Sequence, residues 1–333
     1  MQSSLMGDEI VAVKTNFSTK EFKEIISGYN LGEFLCASPI IAGAVQTNYL
    51  VKTSNVISVF RYYENRSRES VSFETNLIEY LRDRNYPCPT LFKNKHGQSM
   101  GIYKNKPFVI FEFIEGEHLE NPNEDQRKQL IQRVAEMHKI TKNYRPSSKI
   151  NRLNYNIKSC KKFAQEKSDK INTLNSTEKL KWYTNQLSSL ILPKSLPKGV
   201  CHCDFHFSNV LYKNGKFNAL IDFDDANYTF LIFDLVSLLE PFKSSFDWNT
   251  WDKFEMADEV FDFKEAKKIV SEYAKYRPLN NNEKTHMFDV LKFSILIDCI
   301  WYFERGDAKD FFEKRKIDYL DKLGRQNFYK GLF

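Results

Sequence analysis

No run in this 333-residue sequence approaches the ~18–20 consecutive apolar residues that a membrane span needs. A mean hydropathy of −0.51 agrees, and no membrane partner is expected. The opening MQSSLMGDEI has no basic segment followed by an apolar one, so no secretory signal is expected. The six cysteines, at 36, 88, 160, 201, 203 and 299, show no spacing of a small disulfide scaffold. In a chain of this size they are expected to be free thiols in a reducing cytoplasm. The nearest thing to a metal box is Cys201-His202-Cys203 with His206 close by. No second ligand pair follows at zinc-finger spacing, which favours two buried small side chains over zinc. An RNA-binding aromatic box, a zinc finger and a basic stripe with heptads are all missing, so no nucleic-acid partner is expected. The net charge of +6 is mild; it suits an anionic cosubstrate or simply a solvated lysine-rich surface. What is present is an ordinary globular balance, 42% hydrophobic and 28% charged, enough for one large domain or two modest ones.

The first 35 residues hold one helical stretch, Lys20 to Ile26, which Ser18 or Thr19 can cap and Gly28 can end. From about 36 to 63 the pattern is strand-like. Asn48–Lys52 and Val56–Phe60 flank the turn Thr53-Ser54-Asn55 and read as a hairpin. Residues 68–84 have helical periodicity, closed by Pro87 and Pro89. Strands are expected around Ser99–Tyr103 and Phe108–Phe113, then an amphipathic helix over 125–140. The lysine- and asparagine-rich region 142–197 reads as helices plus connections, and the composition shift near 114–118 is the candidate boundary.

The informative stretch runs from Gly199 to Asp225. Asn214-Gly215 between two apolar-rich runs is a strong hairpin signal, because a type I′ turn needs positive φ at both central positions. Counting back from that tip, Tyr212 faces Phe217, Leu211 faces Asn218, Val210 faces Ala219 and Asn209 faces Leu220. Asp204, Asn209 and Asp222 therefore gather at one end of the hairpin. A carboxylate, an amide oxygen and a second carboxylate suit Mg²⁺ and a phosphate chain, since Mg²⁺ prefers hard oxygen ligands. Phosphoryl transfer needs positioning, charge neutralisation and a carboxylate to receive a hydroxyl proton.

His202-Cys203-Asp204-Phe205-His206-Phe207-Ser208-Asn209 and Ile221-Asp222-Phe223-Asp224 resemble the catalytic loop and metal-binding segment of the aminoglycoside phosphotransferase/choline kinase superfamily. Gly43 to Leu50, Tyr86-Pro87-Cys88-Pro89 and Phe108 to Gly116 make the homoserine-kinase-type branch the most similar. The resemblance implies that Asp204 is the catalytic base and that Asn209 and Asp222 hold Mg²⁺. It implies that His202 and Asp234 brace the loop. His206 falls where a phosphate- or substrate-contacting residue lies, or is a solvated loop histidine. Glu74 resembles the helix glutamate that pairs with a strand lysine. That lysine is missing: Val56-Ile57-Ser58 puts Ser58 in its slot, and Arg61, of opposite parity, is expected to face away unless a bulge intervenes. The segment Ala42–Asn48 is a weakly glycine-rich candidate for the loop over the phosphates. Glu112, Phe113 and Ile114 would form the hinge, whose backbone could bond adenine.

The expectation is an α+β, protein-kinase-like, two-lobed fold with ATP between the lobes. Residues 1–113 would be an antiparallel sheet lobe and 114–333 a mainly helical, catalytic lobe. The acceptor would be a hydroxyl of a small amine-containing metabolite, homoserine-like first and an aminoglycoside-type antibiotic second. Asp224, Asp225 and Glu240 could receive its ammonium, or be structural. A catalytically silent binding protein on the same fold is the alternative from another class. No Asp-Phe-Gly turn or Ala-Pro-Glu segment follows Asp222, which argues against a peptide-docking activation loop.

Overall fold

A computed structural model describes residues 15–41, 45–146, 154–239, 261–301, 303–304, 306–309 and 313–333. Ser18 starts the first helix, α1 (Thr19–Ser27), through a capping box with Glu21, and Gly28 ends it. The strands β1 (Phe34–Pro39), β2 (Thr47–Thr53) and β3 (Ile57–Tyr62) follow, then helix α2 (Arg68–Arg82), β4 (Met100–Tyr103) and β5 (Lys106–Glu112). All five strands form one antiparallel sheet in the order β1-β2-β3-β5-β4.

The two faces of that sheet have different tasks. Phe22, Ile25 and Ile26 of α1 pack with Tyr49, Val51, Phe60, Tyr62 and Phe108 in an aromatic-rich cluster on the outer face. The inner face gives Val109 and Phe111 to the main core, with Val59 against it; Leu77, Ile78 and Leu81 of α2 belong to the same core. Burying each such side chain contributes about 1.5–3 kcal/mol relative to exposure.

This packing corrects the expected parity of β3. Ser58 shares the face of Phe60 and Tyr62, and its hydroxyl is buried against the Val51 carbonyl. Arg61 shares the face of Val59, toward α2 and the cleft. The physical reason is the turn: Thr53 N–H donates to the Val56 carbonyl at 2.9 Å, so Val56 closes the turn instead of opening the strand. The slot for a cation therefore falls three residues later, on Arg61.

The second region is mainly helical: α3 (Glu124–Thr141), α4 (Ile157–Ile171) and α5 (Leu174–Ser189). Then come β6 (Lys198–Cys201), the hairpin β7 (Val210–Lys213) and β8 (Lys216–Leu220), and β9 (Asn227–Phe230), which pairs with β6. Helices α6 (Phe233–Leu238), α7 (Phe263–Tyr276), α8 (Asn281–Trp301) and α9 (Lys314–Leu332) complete it. No helix among the described residues is long and apolar enough to cross a membrane.

The hairpin turn has φ of 51° at Asn214 and 73° at Gly215, as its type demands. Lys213 pairs with Lys216 and, as expected, Tyr212 with Phe217, but Leu211 then pairs with Ala219 and Val210 with Leu220. The register slips because Asn218 is extra. Its side-chain amide donates to the Glu115 carbonyl at 2.7 Å, where a paired strand residue would have stayed in line.

Candidate active site

Two non-glycine residues at the end of the hairpin have left-handed backbone: Cys203, with φ 66°, and Asp222, with φ 64°. Such conformations cost of order 1–3 kcal/mol and persist only where the surroundings hold them. Asp234, fully buried in α6, does much of the holding. Its carboxylate accepts from the backbone N–H groups of His202 at 2.9 Å and Cys203 at 2.8 Å, and pairs with His138 Nε2 at 2.9 Å. His202, also buried, reaches the Ile221 carbonyl through Nε2 at 3.0 Å. The loop before Asp204 and the step before Asp222 are thereby tied into one unit.

Asp204 is exposed, whereas Asn209 is buried. The Asn209 side-chain N–H donates to Asp204 Oδ2 at 2.7 Å and to the Asp204 carbonyl at 2.9 Å. The amide nitrogen is thus committed to Asp204, which leaves the amide oxygen as an acceptor. Ile221 N–H donates to the Asn209 carbonyl at 2.9 Å, so Asp222 follows directly beside Asn209. These three residues come together as the hairpin geometry requires.

Asp222 is met by Arg61, whose Nη1 donates to its Oδ1 at 2.8 Å. The same nitrogen lies 3.7 Å from Glu74 Oε1, and Arg61 Nε donates to Asn48 Oδ1 at 3.1 Å. The guanidinium holds the Asp222 carboxyl below the usual carboxylate range. Glu74 is buried on α2 and accepts from the Tyr63 hydroxyl at 2.9 Å. Burial first, then the nearby Asp224 charge, pushes its carboxyl up to about 8 against the opposing pull of Arg61. The helix glutamate therefore lies beside an arginine where the wider pattern has lysine.

Asp224 does not present a free carboxylate to an ammonium, which corrects the substrate reading of that residue. It is buried; it takes Arg66 Nε at 2.8 Å and Nη2 at 3.1 Å, and Gln46 Nε2 at 2.9 Å. Asp225 also takes Arg66 Nη2, at 2.9 Å, but stays partly open. Glu240 and residues 42–44 of the candidate phosphate loop lie outside the described residues. His206 is exposed and caps the short 3-10 turn that follows: its Nδ1 accepts from Ser208 N–H at 3.2 Å.

Glu112, at the end of β5, donates its backbone N–H to the Thr90 carbonyl at 2.8 Å, and its carboxylate accepts from Thr90 N–H at 3.1 Å. Phe113 is 42% exposed. With Ile114, both border a cavity of about 480 Å³ that also touches Arg82, Pro87 and Lys213. A larger cavity of about 520 Å³ lies between α3 and α7, over Leu130, Ile131 and Ile269. A third, of about 480 Å³, opens on Asp204 and is lined by Asp225, Arg66, Tyr155, Asp298 and Trp301. Position outweighs size here: of these three, the last is the one that contains the exposed Asp204 carboxylate.

His138, Cys201 and Asp234 form a buried trio of possible ligands. Both His138 nitrogens are engaged, by Tyr273 and Asp234, and Cys201 Sγ bonds the Phe230 carbonyl at 3.3 Å. The trio is explained by these contacts and by its support of the loop. Arg66, Asp298 and Trp301 line the cavity at Asp204 and were not disclosed by the sequence; Gln46 lay within the candidate phosphate loop, but its contact with Asp224 was not foreseen. Arg66 and Gln46 meet partners 158 and 178 positions away, a distance no local pattern reports. Asp298 carried one signal, a charge inside a long apolar helix, but Asp289 and Lys292 carry the same signal and pair elsewhere.

The profile of the phosphotransferase enzyme family matches residues 37–279. The homoserine kinase of Caulobacter vibrioides (strain NA1000 / CB15N) is 28% identical over 315 residues, covering 93% of this chain and 90% of that protein. The homoserine kinase of Methylobacillus flagellatus is 26% identical over 274 residues, 82% of this chain and 81% of that protein. Among solved structures, an amicoumacin kinase in complex with AMP-PNP and Ca²⁺ aligns with a TM-score of 0.61 at 16% identity, over 93% of this chain and 94% of that one. A spectinomycin phosphotransferase aligns with a TM-score of 0.59 at 15% identity, over 96% and 98%. The structural likenesses establish the protein-kinase-like fold.

Proposed function

This chain belongs to the phosphotransferase enzyme family and is a small-molecule kinase; on that premise we propose that it transfers the γ-phosphoryl group of ATP to the hydroxyl of a homoserine-like amino alcohol. The observation that carries the acceptor is the near full-length similarity to homoserine kinases, 93% of this chain and 90% of the Caulobacter protein. The cavity in front of Asp204 supports it.

In this reading Asp204 accepts the proton as the acceptor oxygen bonds to the γ-phosphorus and the bond to the β–γ bridging oxygen breaks, which leaves ADP. Asn209 fixes the Asp204 carboxylate through its amide N–H. The Asn209 amide oxygen and the Asp222 carboxylate are hard oxygen donors that fit Mg²⁺, and these two residues would hold it. Bound there, the ion would supply charge neutralisation on the phosphate chain. Arg61, fixed between Asp222 and Glu74, is the cation for the α/β-phosphates. Backbone groups of Glu112 to Ile114 would bond the adenine, and His206 would offer its free Nε2 at the phosphate side.

An aminoglycoside-type acceptor is less well supported, because Arg66 already occupies Asp224 and part of Asp225. A silent binding protein is less well supported, because Arg61 fills the cation slot. ATP consumption with L-homoserine, choline, an aminoglycoside and a protein substrate, followed by mass detection of the product, tests the reading. Phosphorylated homoserine is expected. Transfer to the aminoglycoside or protein alone would overturn it.

A further inference from the structure

Helix α8 is buried along most of its length, and between Met287 and Ile300 Asp298 is the one residue that is not. Ser294, Ile297, Asp298 and Trp301 recur at helical spacing and turn one face of α8 toward the cavity in front of Asp204. Asp298 has no hydrogen bond or ion pair with any described residue; its helix neighbour Asp289, by contrast, is bound by Arg325 at 2.6 Å. Asn65 and Arg66 line the same cavity. Arg66 spends Nε and Nη2 on Asp224 and Asp225, and its Nη1 has no bond among the described residues. The cavity is thus lined by a carboxylate without a partner among the described residues, by an arginine with one N–H₂ uncommitted among them, and by Asp204.

Resting on the kinase reading above, we propose that Asp298 is a specificity residue that receives the acceptor's ammonium, while Arg66 Nη1 receives a carboxylate on the same molecule. The acceptor class is then a zwitterionic α-amino acid with a side-chain hydroxyl, not a simple amino alcohol or a polycation. An ammonium beside Asp298 and a carboxylate beside Arg66 leave the hydroxyl as the end free to reach Asp204. The surroundings make Asp298 responsive to such a guest. Asp298 opens on the cavity, but the protein around it strips water from the carboxyl; that desolvation, and then the Glu313 charge, push it up to about 7, with Lys316 opposing. A carboxylate held in that environment gains more from a cation than one in water does.

The test compares wild type, Asp298→Asn and Asp298→Glu on two acceptors, L-homoserine and 4-hydroxybutyrate, which lacks the ammonium. Asp298→Asn is expected to lose roughly tenfold or more in kcat/KM for L-homoserine, as loss of a hydrogen bond to a charged group does. It is expected to leave 4-hydroxybutyrate within about twofold, and Asp298→Glu should recover part of the loss. Unchanged ADP binding by each variant checks that the fold is intact. Equal losses on both acceptors, or none on homoserine, overturn the Asp298 assignment alone. A wild type that turns over neither acceptor overturns the kinase–homoserine reading itself, and the assignment with it.

Discussion

A base proposed to meet a substrate has to be exposed and still be fixed in one orientation; Asp204 is exposed, and the Asn209 amide N–H at 2.7 Å fixes it. On the proposed mechanism, replacing Asp204 by Asn removes the proton acceptor but keeps the shape. kcat should fall by ~10²-fold or more, with nucleotide affinity near wild type; a variant that keeps a tenth of the wild-type kcat removes Asp204 from the role. Arg61 has a different liability. Arg61→Met should lose ~10²-fold in kcat/KM for ATP, as removal of a preorganised charge does, while Arg61→Lys keeps most of it. A loss below tenfold in Arg61→Met would place the phosphate cation elsewhere. Asp204, Asn209 and Asp222 were legible in the sequence because one tight turn fixes their relative positions. Arg61 was not, because its slot depends on where β3 begins, and the bond from Thr53 to Val56 that decides this is invisible in a pattern of apolar residues.

The catalytic hairpin shows which features of an element a sequence specifies. The turn was legible because Asn-Gly suits positive φ. The slip at Asn218 was not, because its cause is the carbonyl of Glu115, in another part of the chain. The slip leaves the mouth of the hairpin in place: Ile221 N–H still closes on the Asn209 carbonyl. Since that bond sets Asn209 beside Asp222, the two should act on one ion. Asn209→Ala and Asp222→Ala should each raise the Mg²⁺ concentration needed for half-maximal activity and weaken ATP binding. A Mg²⁺ titration that is unchanged in both variants would rule out a shared site.

Across the whole molecule, the two-lobed arrangement was legible from element order, since four of the five sheet strands and the helix among them were marked by period and turns. The joining of the lobes was not. Behind the cleft they share one hydrophobic core, through α2 and the inner face of the sheet. At the front they are joined by polar contacts that converge on three aspartates within four residues: Arg61 on Asp222, Arg66 on Asp224 and Asp225, and Gln46 on Asp224. This convergence bears on timing. If spent nucleotide leaves by opening of this front, Arg66 parts from two carboxylates at once, and cleft opening rather than bond-making should then limit turnover. The first turnover would then run ahead of the rest, as a burst of product in rapid-quench traces. Salt screens the exposed part of this clasp within a Debye length of ~10 Å at 0.1 M, so ADP should dissociate faster in stopped-flow traces as ionic strength rises. A linear product trace with a salt-independent ADP release rate would show that the clasp keeps no clock. If the burst is present, the interval between turnovers is set by one arginine letting go of its two aspartates.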